Sequence, residues 1–220
     1  MIRRFETYSF VAGTPDEARL ELAEVLFAAG SYIPEVRQSA VGWNSSSSPA
    51  DLVWEHAYDS PEAYRRYMVH PYHADMIDRY VLPDSPERVV EPMTGAGLFG
   101  YHVDEPTFLL PPGSARRVVL LQLSPEAASR AVELSGRAGE LAEAGGATCS
   151  SIGANTMAVC WFDGETPLPV PPPRWTHVWE LGFPGLRALE RHLTHGGDGL
   201  PGALGAERWT ELCYEVTIPG

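Results

Sequence analysis

The chain has 220 residues, 44% of them hydrophobic and 20% charged, the balance of a globular protein with room for one broad domain or two small ones. Its formal net charge of −13 repels polyanions, so nucleic acid and anionic membrane surfaces are excluded as partners, and no apolar run approaches the length of a membrane-spanning helix. All 16 basic residues are arginine, which excludes Schiff-base chemistry, since that needs a lysine amine.

The opening "MIRRFETYSF" is basic without the apolar core of a signal peptide, which points to the cytoplasm. It begins a strand over residues 2–11. A helix follows to about Ala29, with Thr14 as N-cap, Pro15 in the first turn and Glu17 in the capping-box position. A strand over residues 36–43 leads into the polar loop "NSSSSPA". The next strand, "LVWEHAY", alternates so that Leu52, Trp54, His56 and Tyr58 share one face. Ser60 and Pro61 then open a second helix. Pro71 disfavours helical geometry at His70 and can start a new helix, so "YMVHPYHADMIDRY" reads as two helical pieces meeting at His70. The glycine cluster "GAGLFG" lacks the strand–turn–helix context of a dinucleotide loop and reads as a turn. The proline-rich stretch at 104–115 is the expected boundary between two units, residues 1–108 and 116–220.

The second unit repeats the first. "RRFETYSF" at 3–10 answers to "RRVVLLQL" at 116–123, an offset of 113. "DLVWEHAY" and "EAYRRYMVH" answer to "THVWELGF" and "RALERHLTH", both at an offset of 125. Ser124, Pro125 and Glu126 open its first helix, and "FDGETPLPVPPPR" replaces the serine loop. The order strand, helix, strand, strand, helix, strand occurs twice, the ferredoxin-like pattern. The expected fold is therefore α+β: two tandem βαββαβ units whose bare sheet faces bury each other and close one barrel within the chain. Cys149, Cys160 and Cys213 have no CxxC spacing and read as reduced thiols.

Residues 1–92 resemble the stress-responsive A/B barrel (Dabb) family of the dimeric α/β barrel superfamily. The resemblance is carried by "MIRRFETYSFVAGT", "IPEVRQSAVGWN" and above all the pattern D-S-x-E-A-x-x-x-Y-x-x-H-P-x-H beginning at Asp59. One member of that family, olivetolic acid cyclase, closes a polyketide chain by aldol condensation without a cofactor, using a tyrosine and a histidine of this segment. By motif position these are Tyr67 and His73. The resemblance implies His73 as general base and Tyr67 as donor to the oxygen that becomes negative, the acid–base pair that cofactor-free cyclisation needs. The alternative is a solvated histidine beside a core tyrosine.

The same carry-over turns the face of Trp54 and His56, together with Arg4, Glu6 and Tyr8 of the first strand, toward the substrate cavity. Arg4 and Glu6 either pair with each other or line a polar pocket. In the pocket reading Arg4 holds a carboxylate or enolate and Glu6 orients His73 or His56. His70 is either a satisfied polar group at the helix start or a pocket residue. His70, His73, His56 and His102 lack the carboxylate or cysteine partners of a metal site, so no metal is expected; nor is any cofactor, and there is no haem signal. In the second unit His192 falls at the Tyr67 position and His195 at the His70 position, and the motif then decays into "GGDGLPGALG"; His177 reads as structural.

The expected function is a cofactor-independent lyase or cyclase acting on a polyketide-like or β-dicarbonyl small molecule, by cyclisation or dehydration. The alternatives are a non-catalytic ligand-binding barrel and a cofactor-free monooxygenase. The expected assembly is a monomer with an internal barrel, or a homodimer of such barrels.

Overall fold

The computed structural model describes residues 1–91, 98–103, 111–156, 162–163, 166–167, 175–195 and 199–217. The expectations for residues 95–97, 104–110 and 196–198, for Cys160 and for most of the 162–174 loop lie outside these. The first unit runs β1 (Ile2–Tyr8), α1 (Asp16–Tyr32), β2 (Gln38–Trp43), β3 (Leu52–Tyr58), α2 (Pro61–Met68), α3 (Pro71–Tyr80) and β4 (Leu98–His102). The second runs β5 (Ala115–Leu123), α4 (Pro125–Ala128), α5 (Ala131–Ala144), β6 (Cys149–Ala154), the short pair β7 (Phe162–Asp163) and β8 (Thr166–Pro167), β9 (His177–Phe183), α6 (Leu186–Thr194), α7 (Leu200–Ala203) and β10 (Ala206–Glu215). No helix among the described residues is long and apolar enough to cross a membrane.

Two helix starts differ in detail from the sequence expectation. Thr14 does not cap α1: its hydroxyl donates to the Val11 carbonyl at 2.7 Å, and Pro15 stands in the cap position without a side-chain bond. The hydroxyl is turned back toward this local turn, and no helix N–H donates to it. The helix after Ser124 is interrupted after one turn, where the Ser129 hydroxyl donates to the Glu126 carbonyl at 2.8 Å, and resumes as α5. Elsewhere the caps hold, with the Ser60 and Ser124 hydroxyls each accepting from a backbone N–H three residues on, at 3.2 Å.

The sheets have the orders β2-β3-β1-β4 and β10-β5-β9-β6, so corresponding strands occupy corresponding places. Every neighbouring pair in both sheets is antiparallel. The sheets pack face to face, and their edges meet on both sides. Thr217 N–H donates to the Val41 carbonyl at 3.0 Å between β2 and the end of β10, and Thr156 N–H donates to the Gly100 carbonyl at 3.0 Å between the end of β6 and β4. The result is a barrel closed within one chain. Close approach needs glycine at two equivalent places: a Cβ on Gly42 would lie 2.3 Å from the Tyr214 ring, and one on Gly153 would lie 2.4 Å from the Tyr101 ring.

The strands β1, β3, β5 and β9 are buried on both faces, and alternation divides their side chains between two interiors. Phe5 and Val53 point between the sheets with Val118, Val178 and Leu212. Leu52, Trp54 and Tyr58 point the other way, under the helices, with Leu22, Leu26 and Tyr67. The inter-sheet interior also holds four charges. Arg116 lies 2.7 Å from both Glu55 and Glu180, and Arg3 lies 3.1 Å from Glu180 and 3.4 Å from Glu55. Tyr101 donates to Glu180 at 2.5 Å and Tyr214 to Glu55 at 2.8 Å. Burial pushes the Glu180 carboxyl up, but Arg3 and Arg116 outweigh it and hold it below the usual range.

Removing one member of such a group strands its partners without water. Glu180→Ala is expected to lower stability by about 3–5 kcal/mol, read as a lower urea midpoint. An unchanged midpoint would show that the four charges are not coupled to folding.

Candidate active site

The helix-covered interior of the first unit gathers a polar cluster. Strand β1 alternates Arg4, Glu6 and Tyr8 onto this face, and β3 adds Trp54, His56 and Tyr58, with Arg4 opposite His56 and Glu6 opposite Trp54 in the register. Helix α2 contributes Tyr64 and Tyr67, three residues apart and so on one side of the helix. Pro71 has no N–H to continue α2, and His70 becomes the N-cap of α3, its Nδ1 accepting from the Tyr72 N–H at 3.2 Å. The break turns the chain so that His73, in the first turn of α3, lies against Tyr67 with ring centroids 4.3 Å apart.

Glu6 is the electrostatic hub. Tyr8 donates to its Oε2 at 2.8 Å. Its Oε1 lies 3.0 Å from Arg4 Nη2, an ion pair, and 3.3 Å from His56 Nε2, neither with hydrogen-bond angles. Burial alone would raise the Glu6 pKa, but Arg4, followed by His56 and Tyr8, brings it down to about 2. The carboxylate is therefore ionised. Burial lowers His56 to about 4, against the pull of Glu6, and lowers His73 to about 4 as well. Both imidazoles are thus neutral near pH 7.

Hydrogen bonds assign the tautomers. His73 Nδ1 lies 3.1 Å from the Met68 carbonyl oxygen, which can only accept, so the proton is on Nδ1 and Nε2 is the basic nitrogen. His56 Nδ1 lies 2.5 Å from the Tyr58 hydroxyl while Nε2 faces the Glu6 carboxylate, so Nε2 carries the proton and Nδ1 accepts from Tyr58. His56 stacks on Trp54 at 4.0 Å between centroids, and Trp54 donates from Nε1 to Ser39 at 2.8 Å. The Tyr67 hydroxyl is buried beside that of Tyr58 but makes no hydrogen bond of normal geometry, and Nε and Nη1 of Arg4 are buried without a partner.

Of the residues expected from sequence, Tyr67, His73, His56, Trp54, Arg4, Glu6 and Tyr8 come together here, and Arg4 and Glu6 pair as well as line the interior. His70 stands apart as the helix cap. Tyr58 and Tyr64 were not singled out as site residues, though alternation put Tyr58 beside His56 and helical spacing put Tyr64 beside Tyr67. Tyr64 packs under Arg4, whose guanidinium carbon is 5.0 Å from the ring centroid. Among the described residues no group of three or more His, Cys, Asp or Glu is placed to hold a metal ion.

The second unit has Val119, Leu181 and Phe183 under its helices, packed in an apolar cluster. Its polar groups are engaged: Arg117 Nη1 donates to His192 Nε2 at 2.8 Å, His192 Nδ1 donates to the Gly145 carbonyl at 2.9 Å, and Arg117 Nε donates to Glu211 at 2.7 Å. His195 lies at the end of α6, its Nδ1 2.7 Å from the Arg191 carbonyl. His177 is buried, its Nδ1 3.1 Å from the Thr176 hydroxyl.

Comparison with solved structures shows the same architecture over nearly the full length. A monooxygenase-like protein of Fusobacterium nucleatum is 8% identical, covers 99% of this chain and 92% of its own, and superposes with a TM-score of 0.62. A chlorite dismutase variant from Candidatus Nitrospira defluvii is 10% identical, with 99% and 92% covered and a TM-score of 0.59. An anthrone oxidase-like protein is 14% identical, with 99% and 90% covered and a TM-score of 0.60. At these identities the likeness is one of fold. No match is found among curated proteins. The family model for the stress responsive A/B barrel domain matches residues 2–91, the stretch from β1 to beyond α3 that carries the cluster. Residues 2–91 are thus similar to the stress-responsive A/B barrel (Dabb) domain.

Proposed function

We propose that the first unit is a cofactor-independent acid–base enzyme, a lyase or cyclase acting on a small carbon acid of the polyketide or β-dicarbonyl type. The observation that carries the reading is the contact of a neutral His73, basic at Nε2, with a Tyr67 whose buried hydroxyl makes no hydrogen bond of normal geometry. His73 Nε2 takes the proton from the carbon α to a carbonyl. Tyr67 donates to the carbonyl oxygen as negative charge develops there. The enolate carbon attacks a second carbonyl of the same molecule, and the resulting alkoxide regains the proton from His73. Loss of water from that product is a dehydration at the same pair of groups. Trp54, His56 and Tyr8 shape the wall, and the negative surface favours a small molecule over a polyanion as partner.

A second reading shares the first step. If the carbanion meets dioxygen instead of a carbonyl, the outcome is cofactor-free oxygenation, and the monooxygenase-like and anthrone oxidase-like names among similar folds favour testing it. An oxygen electrode separates the two, because only the second consumes dioxygen.

Once a substrate turns over, His73→Ala is expected to lower kcat by about 10²–10⁴ and Tyr67→Phe by about 10²–10³. Wild-type rates in both would overturn the mechanism. The rate should hold as pH falls and lose activity around pH 4, the value of His73, rather than near the ordinary histidine value. Stability should follow the same groups. The unfolded chain takes up protons on His56 and His73 below about pH 6.5, whereas the folded chain resists until about 4. Their contribution is therefore full above about pH 6.5 and lost as pH falls through that window. Urea unfolding across it should show a shallower pH dependence in His73→Gln.

A further inference from the structure

Arg4 has more donors than partners in the cluster. It gives Nη2 to Glu6, while Nε and Nη1 are buried without a hydrogen-bond acceptor. Its guanidinium carbon lies 5.8 Å from the centroid of the Tyr67 ring, so its unused donors and the unused Tyr67 hydroxyl belong to one neighbourhood. Arg4, His73 and Tyr64 keep the largest exposures in the cluster, 5%, 6% and 6%, against 2% for Glu6 and 0% for His56 and Tyr67. Solvent contact therefore lies at Arg4, Tyr64 and His73, while the unused donor atoms themselves are buried.

Charge decides what that ligand is. Arg4 carries one positive charge and Glu6 one negative, and the facing histidines and tyrosines are neutral near pH 7. The cluster is already balanced. A ligand that arrives as a carboxylate leaves one uncompensated negative charge in a buried site. A neutral ligand adds none. When its C–H bond breaks, the proton goes to His73 Nε2 and the electron pair moves onto the carbonyl oxygen, so an imidazolium and an enolate form together and the total stays at zero.

We propose that Arg4 is a second oxyanion donor beside Tyr67, and that the substrate enters as a neutral 1,3-dicarbonyl that becomes an enolate only in the site. This rests on the acid–base reading of His73 and Tyr67 for the origin of the enolate, but the Arg4 contact is readable by binding alone.

The probe is acetylacetone, a neutral 1,3-diketone whose enolate has its own near-ultraviolet band, with acetoacetate as the permanently anionic counterpart. The full chain should bind acetylacetone, show the enolate band at a pH below that at which the free diketone ionises, and bind acetoacetate more weakly. Arg4→Met alone strands Glu6, so the deciding variant is Arg4→Met with Glu6→Gln, which keeps the site neutral. That variant should hold the enolate about 10²-fold less well, with circular dichroism reporting that it is folded. Equal enolate formation in wild type and double variant, or tighter binding of acetoacetate than of acetylacetone, would overturn the proposal. His73→Ala separates it from the reading beneath it. An enolate band that disappears with Arg4 but survives loss of His73 would keep the Arg4 contact and sink the proposed base.

Discussion

Arg3, Arg116, Glu55 and Glu180 meet in the space between two sheets, and the arrangement of everything else follows from that meeting. Each sheet supplies one arginine and one glutamate, and the shortest contact of Arg116 with Glu55 crosses from one sheet to the other, as does the pairing of Arg3 with Glu180. Apart, each sheet would leave a charged pair on a bare apolar face. Together the four neutralise one another, with Tyr101 and Tyr214 as further donors. Such a group adds less to stability than apolar packing of the same volume, but its geometry tolerates few alternatives. It pins the register of β1 and β5. That register sends Arg3 into the barrel and its neighbour Arg4 under the helices, so one "RR" dipeptide furnishes both interiors. A slip of one residue would exchange them.

Much of this was legible in the sequence because it is local or repeated. The two βαββαβ series, the break at His70 and the shared face of Trp54, His56 and Tyr58 rest on spacings of two, three or four residues and on one proline. The offsets of 113 and 125 already matched Arg3 with Arg116 and Glu55 with Glu180 as equivalent positions. What they could not show is that the four meet, since the contacts that join the halves link residues 61 and 177 positions apart. Alternation also cannot tell which of two buried faces of β1 carries the site; the family resemblance supplied that for Arg4 and Glu6. Thr14 does not cap α1 because the preceding turn orients its hydroxyl toward the Val11 carbonyl, a contact that residue type and spacing do not show.

The two halves use one scaffold for different interiors. Trp54 and Trp179 are both buried, each donating to a serine on the adjacent strand. Around that common frame Glu6, His56 and Tyr58 give way to Val119, Leu181 and Phe183. Arg117 keeps the place of Arg4 but meets Glu211 and His192. The first interior retains buried donors without acceptors, and the second has become an apolar core with its histidine tied at both nitrogens.

Joining both sheets in one chain also changes the order of the assembly step. A barrel built from two separate polypeptides forms by a second-order encounter and loosens on dilution. Here β2 meets β10 and β4 meets β6 within a single molecule, so closure is first order. The barrel is therefore as complete in a scarce protein as in an abundant one.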